Sequence, residues 1–189
     1  REPMESGEIM ISRVAAQSRY PASFQLIAAM NPCPCGYLGS QRCSCTPDQI
    51  NRYRNKISGP LLDRIDLQVQ VTKIENHQLL NQRAQAKGES NQQIQQRISS
   101  ARARQINRQG KINSQLSSLE LKNICPLNKE QQTLMDSAIN RFGLSTRGFY
   151  RVLRVARSIA DLESRDTVAT EDYQEALSYR ITTDSKQLN

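Results

Sequence analysis

Along this chain the apolar positions change rhythm once. In the first third they come in short runs separated by turn-formers. Residues 8–14 (EIMISRV) read as one strand of a hairpin inside a polar, mixed opening over residues 1–23. Residues 24–30 (FQLIAAM) are a brief apolar run closed by Asn31-Pro32, the pattern of a buried strand. Residues 65–71 (IDLQVQV) alternate with period two and predict a second strand. Between these, Pro47-Asp48 opens a helix with Thr46 as its N-cap, running through Arg54 or beyond. Ser58-Gly59-Pro60 interrupts it.

From residue 76 the rhythm becomes helical. Residues 76–86 and 90–108 are rich in Gln, Arg and Ala, with Lys87-Gly88 as a break between them. Ile94, Ile98, Ala101 and Gln105 keep one stripe, so the second segment reads as a helix and not as low complexity. Residues 128–141 predict another helix, ended near Gly143. Ser145 or Thr146 caps the next, which runs through Leu162, and Thr170 caps the last, with Glu171 and Asp172 in its first turn. On the helix before Leu162, Val152, Val155, Ala156, Ile159 and Ala160 share one face. Arg147, Arg151, Arg154 and Arg157 lie opposite, and the last three are expected to form a solvated basic face. The layout is a strand-bearing piece over 1–75 and a helical domain over 76–189. Two strands make a poor sheet by themselves, so further strands are expected upstream.

Charge changes this picture in one quarter of the chain. The net charge is +8, and between His77 and Lys111 seven Lys or Arg face one acid, Glu89. Such clustering fits a polyanion partner or a solubilising face. Three Phe, six Tyr and no Trp argue against recognition of single strands by base stacking. No apolar run is long enough to span a bilayer, which takes about 18 residues or more. The opening is too polar for a signal peptide. A cytoplasmic location is expected. His77, the sole histidine, reads as a surface residue at a helix start.

The cysteines supply the candidate chemistry. Of five, Cys33, Cys35, Cys43 and Cys45 fall within thirteen residues, while Cys125 stands apart before Pro126 as a small buried hydrophobe. A disulfide scaffold spaces its cysteines more widely. Four soft ligands this close suit a tetrahedral, closed and therefore structural zinc site. The one-residue spacing is tight, and Pro34 and Gly36 help the backbone turn. An iron–sulfur cluster takes the same ligands, and free or redox-active thiols are the third reading. Zinc is preferred.

Four segments carry a resemblance: REPMESGEIMISR at 1–13, YPASFQLIAAMNPCPCG at 20–36, RYRNKISGPLLDRIDLQV at 52–69 and LSTRGFYRVLRVARSIADL at 144–162. In content, order and spacing they resemble the C-terminal part of the magnesium-chelatase-like AAA+ ATPases, the ComM/YifB family. The resemblance covers most of the chain and is loosest over 76–120. It implies an α/β remnant of an AAA+ core, with the four-cysteine insert at 33–45, followed by an all-α lid, predominantly helical overall. The family's P-loop and acidic magnesium-binding motif lie upstream, and no G-x-x-x-x-G-K-[ST] occurs in this sequence. The chain is therefore expected to be a C-terminal fragment that does not hydrolyse ATP alone, with ATP and Mg²⁺ bound only in its full-length parent.

The resemblance also implies roles. Asn31 matches sensor 1, where an amide orients water near a γ-phosphate. Arg64, in LLDRIDL, matches an arginine finger acting on a neighbouring subunit, with Asp63 and Asp66 positioning it. Arg147 matches sensor 2, reaching from the lid to the phosphates of its own subunit. A finger acting in trans implies a ring, expected to be a hexamer. Arg13 or Arg19, on a stretch where related ATPases carry a pore hairpin, is a candidate for DNA contact. So are Arg83, Arg97, Arg102, Arg104, Arg108 and Lys111. The first expected function is part of a ring-forming AAA+ ATPase acting on DNA, with helicase or branch-migration work in natural transformation. The alternatives are a zinc-stabilised nucleic-acid-binding module and a magnesium-chelatase-type cofactor-insertion subunit.

Overall fold

A computed structural model of the chain describes residues 3–13, 16–71 and 88–180. Several of its helices start with one device. Thr46, Ser90, Ser117 and Asn128 each accept a hydrogen bond from the backbone N–H three residues on, and Gln49, Gln93, Glu120 and Gln131 return a side-chain oxygen to the cap's own N–H. Each box satisfies two donors that a helix start leaves open. The elements in order are α1 (Pro3–Ser6), β1 (Glu8–Arg13), β2 (Ala16–Pro21), α2 (Pro47–Arg54), α3 (Gly59–Leu62), α4 (Asn91–Gln109), a 3-10 turn (Asn113–Gln115), α5 (Ser118–Ile124), α6 (Lys129–Phe142), α7 (Thr146–Leu162) and α8 (Thr170–Ser178). A small sheet is thus followed mainly by helices, as the pattern predicts. The chain falls into two units, Arg1–Ile65 and Asp66–Asn189. No described helix is long and apolar enough to cross a membrane.

In the first unit β1 and β2 form an antiparallel hairpin, with Glu8 opposite Pro21 and Arg13 opposite Ala16. β1 coincides with the predicted strand. β2 is polar and carries no periodic signal; pairing with β1 makes it a strand. Helix α2 keeps its predicted cap and end. Two expectations are corrected. Residues 24–30 and 65–71 form no strand, and Phe24, Leu26, Ile27, Met30, Leu67, Val69 and Val71 are exposed. Strand patterning needs a ladder partner to become a strand. Among the described residues of 65–71, Gln68 donates its N–H to the Tyr179 carbonyl at 2.8 Å, and no ladder is built on that bond.

The second unit packs around α7. Val152, Leu153 and Ala156 on α7 join Met135 and Ala138 of α6, Tyr173, Ala176 and Leu177 of α8, Leu121 of α5 and Leu116 in one buried cluster. Helix α6 ends at Gly143, which takes the left-handed conformation (φ 61°) that costs other residues most. The expected cap of the last helix is corrected: Ala169, not Thr170, is the N-cap of α8, its N–H donating to Asp172 Oδ2 at 2.8 Å, and Thr170 is the first helical residue. The stretch 112–124 was not anticipated as helical; it folds into the 3-10 turn and α5. The predicted helix over 76–86, with Arg83 and His77, lies outside the described residues.

Beneath this apolar cluster lies a buried polar one. Asp161 accepts hydrogen bonds from Arg108 (2.6 and 3.1 Å), from Arg157 (2.9 Å) and from Asn113 (2.9 Å). Arg157 also donates to the carbonyls of Asp166 and Arg165, at 2.8 and 2.6 Å. Arg154 donates to those of Asn113 and Leu116, and Arg151 pairs with Asp66. The solvated basic face expected for Arg151, Arg154 and Arg157 is therefore corrected. Arg157 is 0% exposed, because guanidinium donors can close loops by filling their carbonyls. Burial works to raise the Asp161 pKa, but hydrogen bonds from Arg108 and Asn113 and the charges of Arg157 and Arg108 outweigh it and hold the carboxyl below its usual range.

Two outcomes follow. Asp161→Ala strands a buried guanidinium and is expected to cost about 3–5 kcal/mol in urea unfolding, with a far smaller loss for surface Lys111→Ala. A depressed folded-state pKa stabilises fully above the unfolded value of about 3.9 and is lost as pH falls through the folded one. Stability should therefore drop on acidification below about pH 4, and Asp161→Asn should flatten that part of the profile.

Candidate metal centre

Consecutive tight turns build the segment between Asn31 and Thr46. Gly36 donates its N–H to the Cys33 carbonyl, Ser40 to that of Tyr37 and Cys43 to that of Ser40, each at 3.0 Å. Gly36 sits at φ 81°, where a side chain is strained. These turns carry four thiols to one point. Cys33 Sγ lies 3.4 Å from Cys35 Sγ and 3.9 Å from Cys43 Sγ, and Cys35 Sγ lies 3.7 Å from Cys43 Sγ. All four sulfurs, Cys45 included, are within 4.8 Å of one another.

Those distances discriminate between chemistries. A disulfide requires sulfurs at about 2.05 Å, and all five cysteines are free. A tetrahedron with Zn–S bonds of about 2.3 Å has edges near 3.8 Å, which matches the spacing here. The surroundings point the same way. Cys33 is the one buried side chain among the described residues of the first unit. This part of the chain has no apolar core to close around, and small units of that kind rely on cross-links or metals. The thiols are also graded. Backbone N–H groups of Tyr37 and Ser44 hold the Cys35 thiol down to about 6. The N–H of Cys35 pulls Cys45 down, but burial and the neighbouring Cys35 and Cys33 sulfurs outweigh it and push Cys45 up to about 11. Sulfurs this close resist ionising together without a cation between them. The four cysteines can hold a metal ion with no open position, so their role would be structural. Cys125 is separate and buried as predicted; burial raises its thiol to about 11.

The other predicted residues occupy varied settings. Asn31 is exposed beside the knot, its Nδ2 3.6 Å from where a Cβ on Gly36 would stand. Arg64 is nearly covered, paired with Glu5 at 3.1 Å and donating to the Pro60 carbonyl at 2.5 Å. Arg147 is exposed in the first turn of α7. Arg13 and Arg19 lie exposed on the hairpin, Arg19 at 3.8 Å from Glu8. On α4 the cations are largely engaged: Arg97 with Glu89 (2.7 Å), Arg104 with Asp166 (2.5 Å), Arg108 with Asp161, while Arg102 is exposed. Lys111 pairs with Glu120 at 2.7 Å. Sequence reasoning missed the residues flanking the knot. Helix α2 starts two residues after Cys45 and lays Gln49, Arg52 and Tyr53 along it, with Lys56 in the turn that follows its end. Their i, i+3, i+4, i+7 spacing was the available signal.

Comparison with known proteins adds two family matches. The family described as magnesium chelatase, subunit ChlI, matches residues 1–79, and its C-terminal counterpart matches residues 88–180. The YifB protein of Escherichia coli is 43% identical over 180 residues, and Competence protein ComM of Haemophilus influenzae is 42% identical over 180, each alignment covering 95% of this chain and 35% of the relative. A Mycobacterium tuberculosis protein is 38% identical over 186 residues, covering 96% of this chain and 36% of the relative. The chain thus spans about a third of the length of the relatives it matches.

Gly36→Ala tests the knot's backbone. A Cβ meets only ordinary contacts there, so the cost is that of the left-handed conformation, about 1–2 kcal/mol. Metal affinity, read by competition with a chromophoric chelator, should weaken roughly tenfold.

Proposed function

The chain belongs to the magnesium-chelatase-like AAA+ proteins of the ComM/YifB family, and we propose that within such a protein it serves as a zinc-stabilised nucleic-acid-binding module. The observation that carries this reading is the gathering of Cys33, Cys35, Cys43 and Cys45 sulfurs within 4.8 Å in a unit that has almost nothing else buried. Zinc suits the donor set because four thiolates satisfy its tetrahedral preference without redox chemistry. Its binding energy becomes folding energy for the polar segment between Asn31 and Thr46. The net charge of +8 supports a polyanionic partner, and one relative carries the name of a competence protein.

A second reading places the same residues in a ring-forming AAA+ ATPase acting on DNA, with ATP and Mg²⁺ bound by the longer protein. In it Asn31 serves as sensor 1 and Arg147 as sensor 2, and Arg64 reaches a neighbouring subunit's ATP. Family membership favours this reading. The Arg64–Glu5 pair gives it a physical requirement: the guanidinium must leave Glu5 to act in trans. A magnesium-chelatase-type role in cofactor insertion rests on the family's name alone.

Elemental analysis with native mass spectrometry tests the first reading. One zinc per chain is expected, lost in Cys33→Ser. Zinc removal by a chelator should lower the unfolding temperature of the first unit and abolish salt-dependent binding to a labelled oligonucleotide. A metal-free chain with four reactive thiols and unchanged stability would overturn it. For the second reading, Arg64→Ala in the full-length protein should reduce ATP turnover by about 10³-fold or more and leave zinc content unchanged.

A further inference from the structure

The side of the knot that faces helix α2 is open. A cleft of about 550 Å³ lies there, with Cys35 and Cys45 on one wall and Gln49, Arg52, Tyr53 and Lys56 on the other. Arg52 and Lys56 are exposed, and neither has an acidic partner among the described residues. That sets them apart from Arg97, Arg104, Arg108, Lys111 and Arg151 of the second unit, which are ion-paired. Residues 33–58 hold four basic side chains, Arg42, Arg52, Arg54 and Lys56, against one acid, Asp48. Of these, Arg54 donates its Nε to the Pro32 carbonyl at 3.3 Å, which ties it to the start of the knot.

We propose that this cleft seats the phosphodiester backbone of a nucleic acid, with Arg52 and Lys56 as its two phosphate contacts. The assignment rests on the nucleic-acid reading above and gives it a location that differs from the arginines of α4. Arg52 on α2 and Lys56, in the turn just past its end, line the same side of the cleft, so two cations face one stretch of backbone. Gln49 adds a neutral donor on the same face. Tyr53, half-buried, lines the same cleft and offers one ring for one base, which suits a chain with few aromatics. Backbone contacts of this kind set affinity and register and carry no sequence preference. Zinc would hold the opposite wall rigid, so the cleft's width depends on the knot.

The competing role for Arg52 and Lys56 is internal. Zinc with four thiolates carries two surplus negative charges, and two nearby cations would offset them. The experiment separates the two roles. Binding of the zinc-loaded chain to a fluorescent 20-nucleotide single strand and to the matching duplex is followed by anisotropy across a salt series. The wild-type chain should bind with an affinity that falls linearly in log–log form. Arg52→Gln with Lys56→Gln should weaken binding roughly tenfold and make the single-strand slope shallower by about 1.4, the release expected for two lost phosphate contacts. Zinc should stay at one per chain, and Arg52→Lys with Lys56→Arg should restore the slope. If the double Gln variant loses zinc, the cations serve the knot and the proposal is overturned. If its slope is unchanged while Arg102→Gln lowers it, the cleft is not the contact but the nucleic-acid reading stands. If the wild-type chain binds neither strand form, that reading itself fails and takes this one with it. Equal retention of a poly-glutamate chain in the cleft would mark an acidic-protein site and overturn the nucleic-acid assignment.

Discussion

The first unit has one buried side chain among its described residues, and it is a cysteine. Folding costs roughly 1–2 kcal/mol of backbone entropy per residue, and burial of apolar surface is the usual compensation. The hairpin, the cysteine turns and α2 bury almost none. A tetrathiolate metal site supplies free energy without needing a core, since its bonds replace packing as the cross-link. The turn at Gly36 and the departure of α2 close after Cys45 serve to bring four sulfurs to one point.

The second unit solves the same problem by ordinary means. Its helices bury leucine, valine, alanine and a tyrosine around α7, then add a charged layer centred on Asp161. That layer consumes Arg108 and Arg157 and, through carbonyls, Arg154. The consequence for function is subtractive. Cations counted in a sequence are a measure of potential contacts; cations left after internal pairing are the ones a polyanion can use. By that measure Arg52 and Lys56 beside the knot rank above most of the arginines on α4, although the sequence concentrates its charge on the latter.

Family membership sits over both units and gives the arrangement a larger setting. The chain covers about a third of its relatives. Its exposed apolar positions between Phe24 and Met30 and between Leu67 and Val71 are strand-patterned surfaces without a ladder partner among the described residues. Sheet formation is a property of at least two chain segments together, and a segment with the right pattern remains irregular until a second one lies beside it.

The sequence alone determined what depends on local chemistry. Caps at Thr46 and Ser145 were legible because a cap bonds to a backbone three residues away, while Ala169, with no side-chain oxygen to give, left no such signal. The end of α6 at Gly143 was legible because few residues tolerate a left-handed backbone. The four-cysteine cluster was legible because thiols are rare and four lay within thirteen residues. Tertiary structure decided whatever required a distant partner. It made a strand of the polar 16–21 stretch by pairing it with β1, and withheld strand structure from 24–30 and 65–71 for want of pairing. It also buried Arg157 against Asp161 and the 165–166 carbonyls, although helical spacing had assigned it to water. Arg104 meets Asp166 across 62 positions, and Arg108 meets Asp161 across 53. No local pattern encodes which acid will neutralise which base at that separation, because the attraction acts only once packing has brought the two charges within a few ångströms.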